Sequence, residues 1–448
     1  MSIPVVKTQS GKISGFYNEQ GDIAIFRGIP YAQPPVGALR WRPPQPVSPW
    51  SGILKAEKDG PWAIQLKSEG FLKFLTVYFG GQGWDQQRTA AVMQGLAQVP
   101  TPDESEDCLY LNVRTPSLGA EDKLPVMVWI HGGDHQTGSG SDPANDSDAL
   151  ARRGVVTVTI NYRLGLMGYF AHPELSQESE HGVSGNYGTL DQIAALRWVQ
   201  ENISAFGGDP DNVTIFGESA GGESVAHMMT SPLARGLFHK AIMQSPADRY
   251  LMIFLRQPFL DNPAGEELGQ RFAERFAPAG DGQLAALRQI PAGQLYDLLN
   301  KEEEFQHFYP VIDGYVLEKS PYEVFVNGDQ AQVPLLIGNN ADEASLFFPL
   351  IHAPVMGHEE VAAEEVAGLI REVYGNNADA LMDLYPGLCQ GRDAAQTDFL
   401  GDNFWGLFVD LYATYAAKAG QTVYRYLFTR TPPSPTQTVG AYHSADIP

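Results

Sequence analysis

The sequence predicts an α/β protein: a central, mostly parallel sheet covered by helices, with helical insertions. Three observations predict it. Apolar, β-branched runs recur through the middle of the chain without polar alternation, the pattern of strands buried on both faces. Helical stretches separate those runs, as crossovers between parallel strands require. Between residues 212 and 229 a strand, a Gly-rich turn and a helix follow one another directly. No repeat, low-complexity stretch or linker divides the 448 residues, so one domain over 1–448 is expected.

Taken in order, Val5-Val6 and Ile23–Phe26 read as short strands, and a Pro-rich surface stretch runs from Pro30 to Pro49. Residues 62–104 mix aromatics with glycine, too apolar for a solvated linker and too irregular for one element. They read either as a cover over a cleft or as a core-packed insertion. Leu109–Val113, Val126–Ile130 and Val155–Ile160 are expected strands, with a short helix around 147–153. Thr189–Asn202 has helical spacing through Ile193, Leu196, Trp198 and Val199. It leads to the strand Asn212–Phe216 and the helix Gly222–Met229, which stops before Pro232. Ala241–Gln244 is the next strand, 250–330 is mostly helical, and Pro334–Gly338 is a further strand. Residues 355–420 are again helical, and Thr422–Phe428 is a late strand.

Bulk properties exclude several function classes. With 53 acidic and 30 basic residues the net charge is −23, leaving no cationic surplus for a nucleic-acid partner. The same field disfavours anionic membranes and strongly anionic substrates. Apolar runs such as Leu124–Ile130 are far short of a membrane span, and the N-terminus lacks the pattern of a signal peptide. Cys108 and Cys389, the two cysteines, read as free thiols in a cytoplasmic protein. A monomer is favoured. No phosphate-binding loop, dinucleotide fingerprint or Cys/His cluster is present, so neither cofactor nor metal is expected; His358-Glu359-Glu360 reads as part of a solvated helix.

The chemistry concentrates in Gly217-Glu218-Ser219-Ala220-Gly221, a G-x-S-x-G pentapeptide between strand and helix. So sharp a turn forces its serine into strained φ/ψ, pushes Oγ out at the carboxyl edge of the sheet, and sets following N–H groups at a helix N-terminus. A serine hydroxyl needs a base, itself oriented by a carboxylate. In the α/β-hydrolase arrangement these follow the serine in the order acid, then histidine, each after a later strand. Glu343 and Asp342 both stand after the Leu335–Ile337 strand, and spacing alone does not separate them. His443 follows the last strand; His239, His307, His352 and His358 lack that setting, and His227 reads as a packed or exposed helix residue. Oxyanion donors are expected from Ala220 and from the turn His131-Gly132-Gly133.

The chain resembles the type-B carboxylesterase/cholinesterase family, in the style of its bacterial p-nitrobenzyl esterases. The resemblance rests on Phe26–Ala32 with Pro34–Gly37, Ser105–Asn112, Asn161–Gly165, Gly185-Asn186, Asp191-Gln192, Asn202–Pro210 and Gly217–Gly222. It implies the α/β-hydrolase fold and a serine carboxylesterase acting on small to medium neutral esters through an acyl-enzyme. It implies a Ser219–Glu343–His443 triad, oxyanion N–H groups from Gly133, Asp134 and Ala220, and an Arg40–Glu106 ion pair. Adhesion modules share the fold, and amidase or carbamate hydrolysis would use the same machinery. Three departures stand out. Asp134-His135 replaces the small residue and aromatic usual in the oxyanion turn. The cysteine that pairs with Cys108 is replaced, near Ala63. Relatives continue for several tens of residues past the equivalent of Pro448, so the C-terminal part of the family fold is expected to be missing and His443 to sit on a poorly anchored end.

Overall fold

The computed structural model describes residues 3–66, 103–145, 148–247, 253–259, 262–277, 282–346, 363–390, 393–433 and 437–447. Most of the 62–104 stretch, His352 and His358-Glu359-Glu360 lie outside them. The chain divides into two compact units. The first is Met1–Leu66, Pro102–Ile337 and Tyr412–Tyr424; the second has its described residues within Gly338–Leu411 and Arg425–Pro448.

The first unit is built on a nine-stranded sheet. Its strands are β1 (Phe16–Tyr17), β2 (Ala24–Pro30), β3 (Tyr110–Thr115), β4 (Leu124–Ile130), β5 (Val156–Ile160), β6 (Gly208–Glu218), β7 (Lys240–Gln244), β8 (Leu335–Asn340) and β9 (Val423–Phe428). The last two enter the sheet with first-unit residues at their starts. The order across the sheet is β9-β8-β7-β6-β4-β5-β3-β2-β1. β5, β4, β6 and β7 run parallel, whereas β3, β2 and β1 form an antiparallel margin. Val126, Val128, Ile130, Val156, Val158 and Ile160 are all fully buried, which is why these runs lack polar alternation.

The topology positions the site. From β4 the chain crosses to β5 on one side and later returns to β6 on the other. The carboxyl ends of β4 and β6 therefore flank a switch point, where open α/β sheets hold their ligands. Register sharpens this: Ile130 pairs with Gly217, so the residues that follow each strand emerge side by side.

Helices α1 (Gly165–Tyr169), α2 (Pro173–Glu178), α3 (Tyr187–Asn202) and α4 (Ala220–Thr230) follow β5 and β6. The helical stretch expected near 250–330 is α5 (Gly265–Phe276), α6 (Gln283–Gln289), α7 (Ala292–Leu299) and α8 (Pro321–Asn327), plus a short parallel pair, Ile253–Phe254 with Val311–Ile312. Leu268, Phe272, Leu284, Leu287, Leu295 and Leu299 recur at three- and four-residue spacings and pack with Trp41 and Phe170 into one apolar cluster.

Two expected elements differ. In place of a helix over 147–153, the described residues there hold a single 3-10 turn, Ala151–Arg153, closed by Gly154 at φ 84°. The strand at 212–216 extends to Gly208–Glu218, with its register against β4 shifted between Gly208 and Val213. Pro210 lies in that interval and brings no N–H to the ladder.

In the second unit the end of β8 leads to a 3-10 turn, Glu343–Ser345. Helices α9 (Ala363–Tyr374), α10 (Ala378–Leu384), α11 (Asp393–Gly401) and the start of α12 (Leu407–Lys418) follow. Ile370, Ala378 and Leu388 centre one apolar cluster; Leu346, Val439 and Tyr442 form another beneath the last segment.

Candidate active site

Ser219 caps the N-terminus of α4 with φ 57° and ψ −127°, a conformation that L-residues seldom adopt. Such a residue persists only where its surroundings over-determine it. Here they do. The Ser219 N–H donates to the Gln244 carbonyl at 2.9 Å, and the Ser219 carbonyl accepts from the Glu223 N–H at 3.0 Å. A Cβ on Gly221 would collide with the Ile130 carbonyl, so α4 closes onto the end of β4 only with glycine there. Ser219 is half-buried, and Ala220 heads a helix whose first N–H groups lack intrahelical partners.

The turn after β4 sits beside it. Gly133 has φ 102°, and a Cβ there would meet the Thr137 carbonyl. Its own carbonyl accepts from the N–H groups of Gln136 (3.0 Å) and Thr137 (2.9 Å), which fixes the turn. Asp134 and His135 follow at φ 58° and 53°. The sequence leaves the Asp134 carboxylate three fates: pointing away, binding a neighbour such as His135, or meeting a cationic substrate. Tyr309, buried and 175 positions along the chain, donates its hydroxyl to Asp134 Oδ2 at 2.8 Å. Asp134 itself remains exposed.

In the second unit, Glu343 and His443 meet. His443 Nδ1 lies 2.6 Å from Glu343 Oε2, and both residues are buried. A carboxylate only accepts, so this bond places the proton on Nδ1 and makes Nε2 the unprotonated ring nitrogen. The Asn340 N–H donates to Glu343 Oε1 at 2.6 Å and fixes the carboxylate from behind. Asp342 faces elsewhere: its Oδ2 accepts from the Ala441 N–H at 2.7 Å, which buttresses the loop that carries the histidine. Geometry thus separates two acids that spacing does not.

The expectation of a poorly anchored His443 is corrected by its contacts. Asn340 Nδ2 donates to the Tyr442 carbonyl (2.7 Å) and to Asp446 Oδ1 (3.3 Å), and Ser345 Oγ donates to the Val439 carbonyl (2.6 Å). The Trp405 ring stands 4.8 Å from the His443 ring. Trp405 belongs to a π-helical turn, Asp402–Gly406, a rare geometry that gathers at functional sites. Nothing in the local sequence around Trp405 marks that turn.

Of the other histidines, His239 Nδ1 accepts from the Val213 N–H at 3.2 Å, and the His307 ring lies 6.1 Å from that of Tyr309. His131, His135 and His227 are buried, and burial pushes them down to about 4, about 4 and about 3, so each is a neutral imidazole near neutral pH. Glu223, buried between His135 and His227, is pushed well up by burial, with the Asp134 charge adding to it. Arg40 grips Glu106 with two bonds (Nε–Oε1 2.6 Å, Nη2–Oε2 2.7 Å), as the family resemblance implies, and its Nη1 donates to the carbonyls of Leu287 and Ile290. Cys108 and Cys389 are free thiols.

The carboxylesterase family model matches residues 2–448. Fumonisin B1 esterase of Sphingopyxis macrogoltabida is 36% identical, over 98% of this chain and 73% of its own length. Para-nitrobenzyl esterase of Bacillus subtilis strain 168 is 36% identical, over 100% of this chain and 83% of its own. A solved PNB esterase superposes with a TM-score of 0.79 at 33% identity, covering 100% of this chain and 83% of that one. With its mostly parallel sheet, its serine on a strand-to-helix turn and a family match along nearly its whole length, the chain belongs to the carboxylesterase family, a carboxylic ester hydrolase of the α/β-hydrolase fold.

Proposed function

We propose that the chain hydrolyses small to medium neutral carboxylic esters through a Ser219–His443–Glu343 triad and an acyl-enzyme. The observation that carries this reading is the strained Ser219 backbone at the head of α4. His443 Nε2 takes the proton as Ser219 Oγ bonds to the ester carbon. The N–H groups of Gly133, Asp134 and Ala220 receive the oxyanion. His443 then hands the proton to the departing alkoxide, and water, deprotonated by His443, releases the acid. A net charge of −23 supports neutral over anionic esters. It also supports a monomer, by repulsion between copies. The two free thiols support a reducing, cytoplasmic setting. Among the described residues no helix is long and apolar enough to cross a membrane.

A p-nitrophenyl phosphonate ester tests the nucleophile. It should release about one equivalent of p-nitrophenol per chain and leave the phosphonyl group on the peptide containing Ser219. A label elsewhere, or none, sinks the proposal. Asp134 supplies a second check. Although the residue is exposed, burial of the carboxyl pushes its pKa up, so its screening is weaker than in water. At about 1 kcal/mol or more at 4 Å, Asp134→Asn should raise kcat/KM on neutral esters at least about twofold. Asparagine tolerates positive φ and still accepts from Tyr309, so fold and turn are kept. An unchanged or lower kcat/KM would remove the charge penalty.

A further inference from the structure

Behind the oxyanion turn lies a group of side chains that ester hydrolysis does not use. Glu223 and His227 stand four residues apart on one face of α4, and His135 reaches them from the turn. His135 Nε2 is 3.3 Å from Glu223 Oε2, and His227 Nε2 is 3.8 Å from Glu223 Oε1. One ligand atom from each of the three lies within 4.8 Å of the others, and all three residues are buried, at 0%, 2% and 3% exposure. His135 Nε2 and His227 Nδ1 make no hydrogen bond among the described residues, although buried nitrogen rarely goes without a partner. His135 Nδ1 lies 3.3 Å from the Tyr169 hydroxyl, a contact that orients the ring with Nε2 toward Glu223.

We propose that His135, Glu223 and His227 form a structural site for a divalent transition metal of the zinc class, fastening the oxyanion turn to the nucleophile helix. Two imidazoles and a carboxylate are a zinc donor set. Bonds of about 2.0–2.1 Å in a tetrahedron hold ligand atoms about 3.3–3.4 Å apart. The three ligand atoms here lie within 4.8 Å of one another, so a cation would draw them together, with a water in the fourth position. The cation would satisfy the partnerless His135 Nε2 and balance the Glu223 charge. It would also hold two successive non-glycine residues of positive φ, Asp134 and His135, in the turn. No sequence motif announces the site, because only Glu223 and His227 share an element.

The test uses the full chain, stripped with a chelator and titrated with Co2+ and then Zn2+, with no readout depending on hydrolysis. The expected result is about one Co2+ per chain with tetrahedral visible absorption, displacement by Zn2+, and a rise in Tm. His227→Gln should weaken binding at least about tenfold, whereas His181→Gln, on an exposed residue, should leave it unchanged. Wild-type chain that takes up no cobalt overturns the site, and so does His227→Gln binding as wild type does. The first outcome would mean that a protonated Glu223 carboxyl bridges the two imidazoles without a metal.

Discussion

His443→Ala and Ser219→Ala are each expected to lower kcat on p-nitrophenyl butyrate by about 10^6-fold, and the double variant by no more than either alone. On the proposed mechanism, base and nucleophile act in one proton transfer. Once either is gone, only the oxyanion donors and substrate binding remain, worth about 10^3–10^4 over water. Glu343→Gln should cost less, about 10^4-fold. Its Oε1 still accepts from the Asn340 N–H, but its amide would donate to His443 Nδ1. That moves the ring proton to Nε2, the nitrogen that has to accept from serine. Thermal melts of all four variants within a few degrees of wild type separate chemistry from folding. If His443→Ala keeps about a tenth of the activity or more, His443 is not the base.

The largest stability effect should come from Asp191, on α3. Its carboxylate takes Arg163 Nη2 and Nε, both at 2.7 Å, and the Arg163 N–H at 3.1 Å, with neither side chain more than 3% exposed. Arg163 stands three residues past the end of β5, so this pair ties the end of that strand to α3. Asp191→Ala leaves a guanidinium buried without its counter-charge, and unfolding in urea should report a loss of about 3–5 kcal/mol. Replacing both partners, Arg163→Met with Asp191→Leu, should recover most of that loss, because no orphan charge is left. A loss below about 1 kcal/mol for Asp191→Ala would show that the Arg42 and Tyr187 carbonyls, 2.9 and 3.5 Å from the guanidinium, suffice alone.

What the sequence revealed divides along physical lines. Runs such as Val126–Ile130 and Val155–Ile160 are legible because strands buried on both faces need apolar residues throughout. Ser219 is legible because a sharp turn demands its small neighbours in order. The Asp342/Glu343 choice is not, since it depends on which carboxylate the Ala441 N–H captures, about a hundred positions away. The Tyr309 bond to Asp134, the Asn340 clasp on Tyr442 and the meeting of His135 with Glu223 are hidden for the same reason: each joins residues that only tertiary packing makes neighbours. The failed helix at 147–153 shows the converse. So short a stretch does not meet the cost of nucleating an α-helix on propensity alone, and only the 3-10 turn Ala151–Arg153 forms among its described residues.

The contact between Gly221 and the Ile130 carbonyl reaches beyond this one chain. It is main chain against main chain, so the aim of the reactive oxygen is set without help from any variable side chain. If Ser219 is the nucleophile as proposed, residues lining the substrate pocket can then vary without shifting the turn that holds it. Selection, or a directed-evolution campaign, can broaden or narrow the range of acids and alcohols accepted while the reaction itself stays fixed.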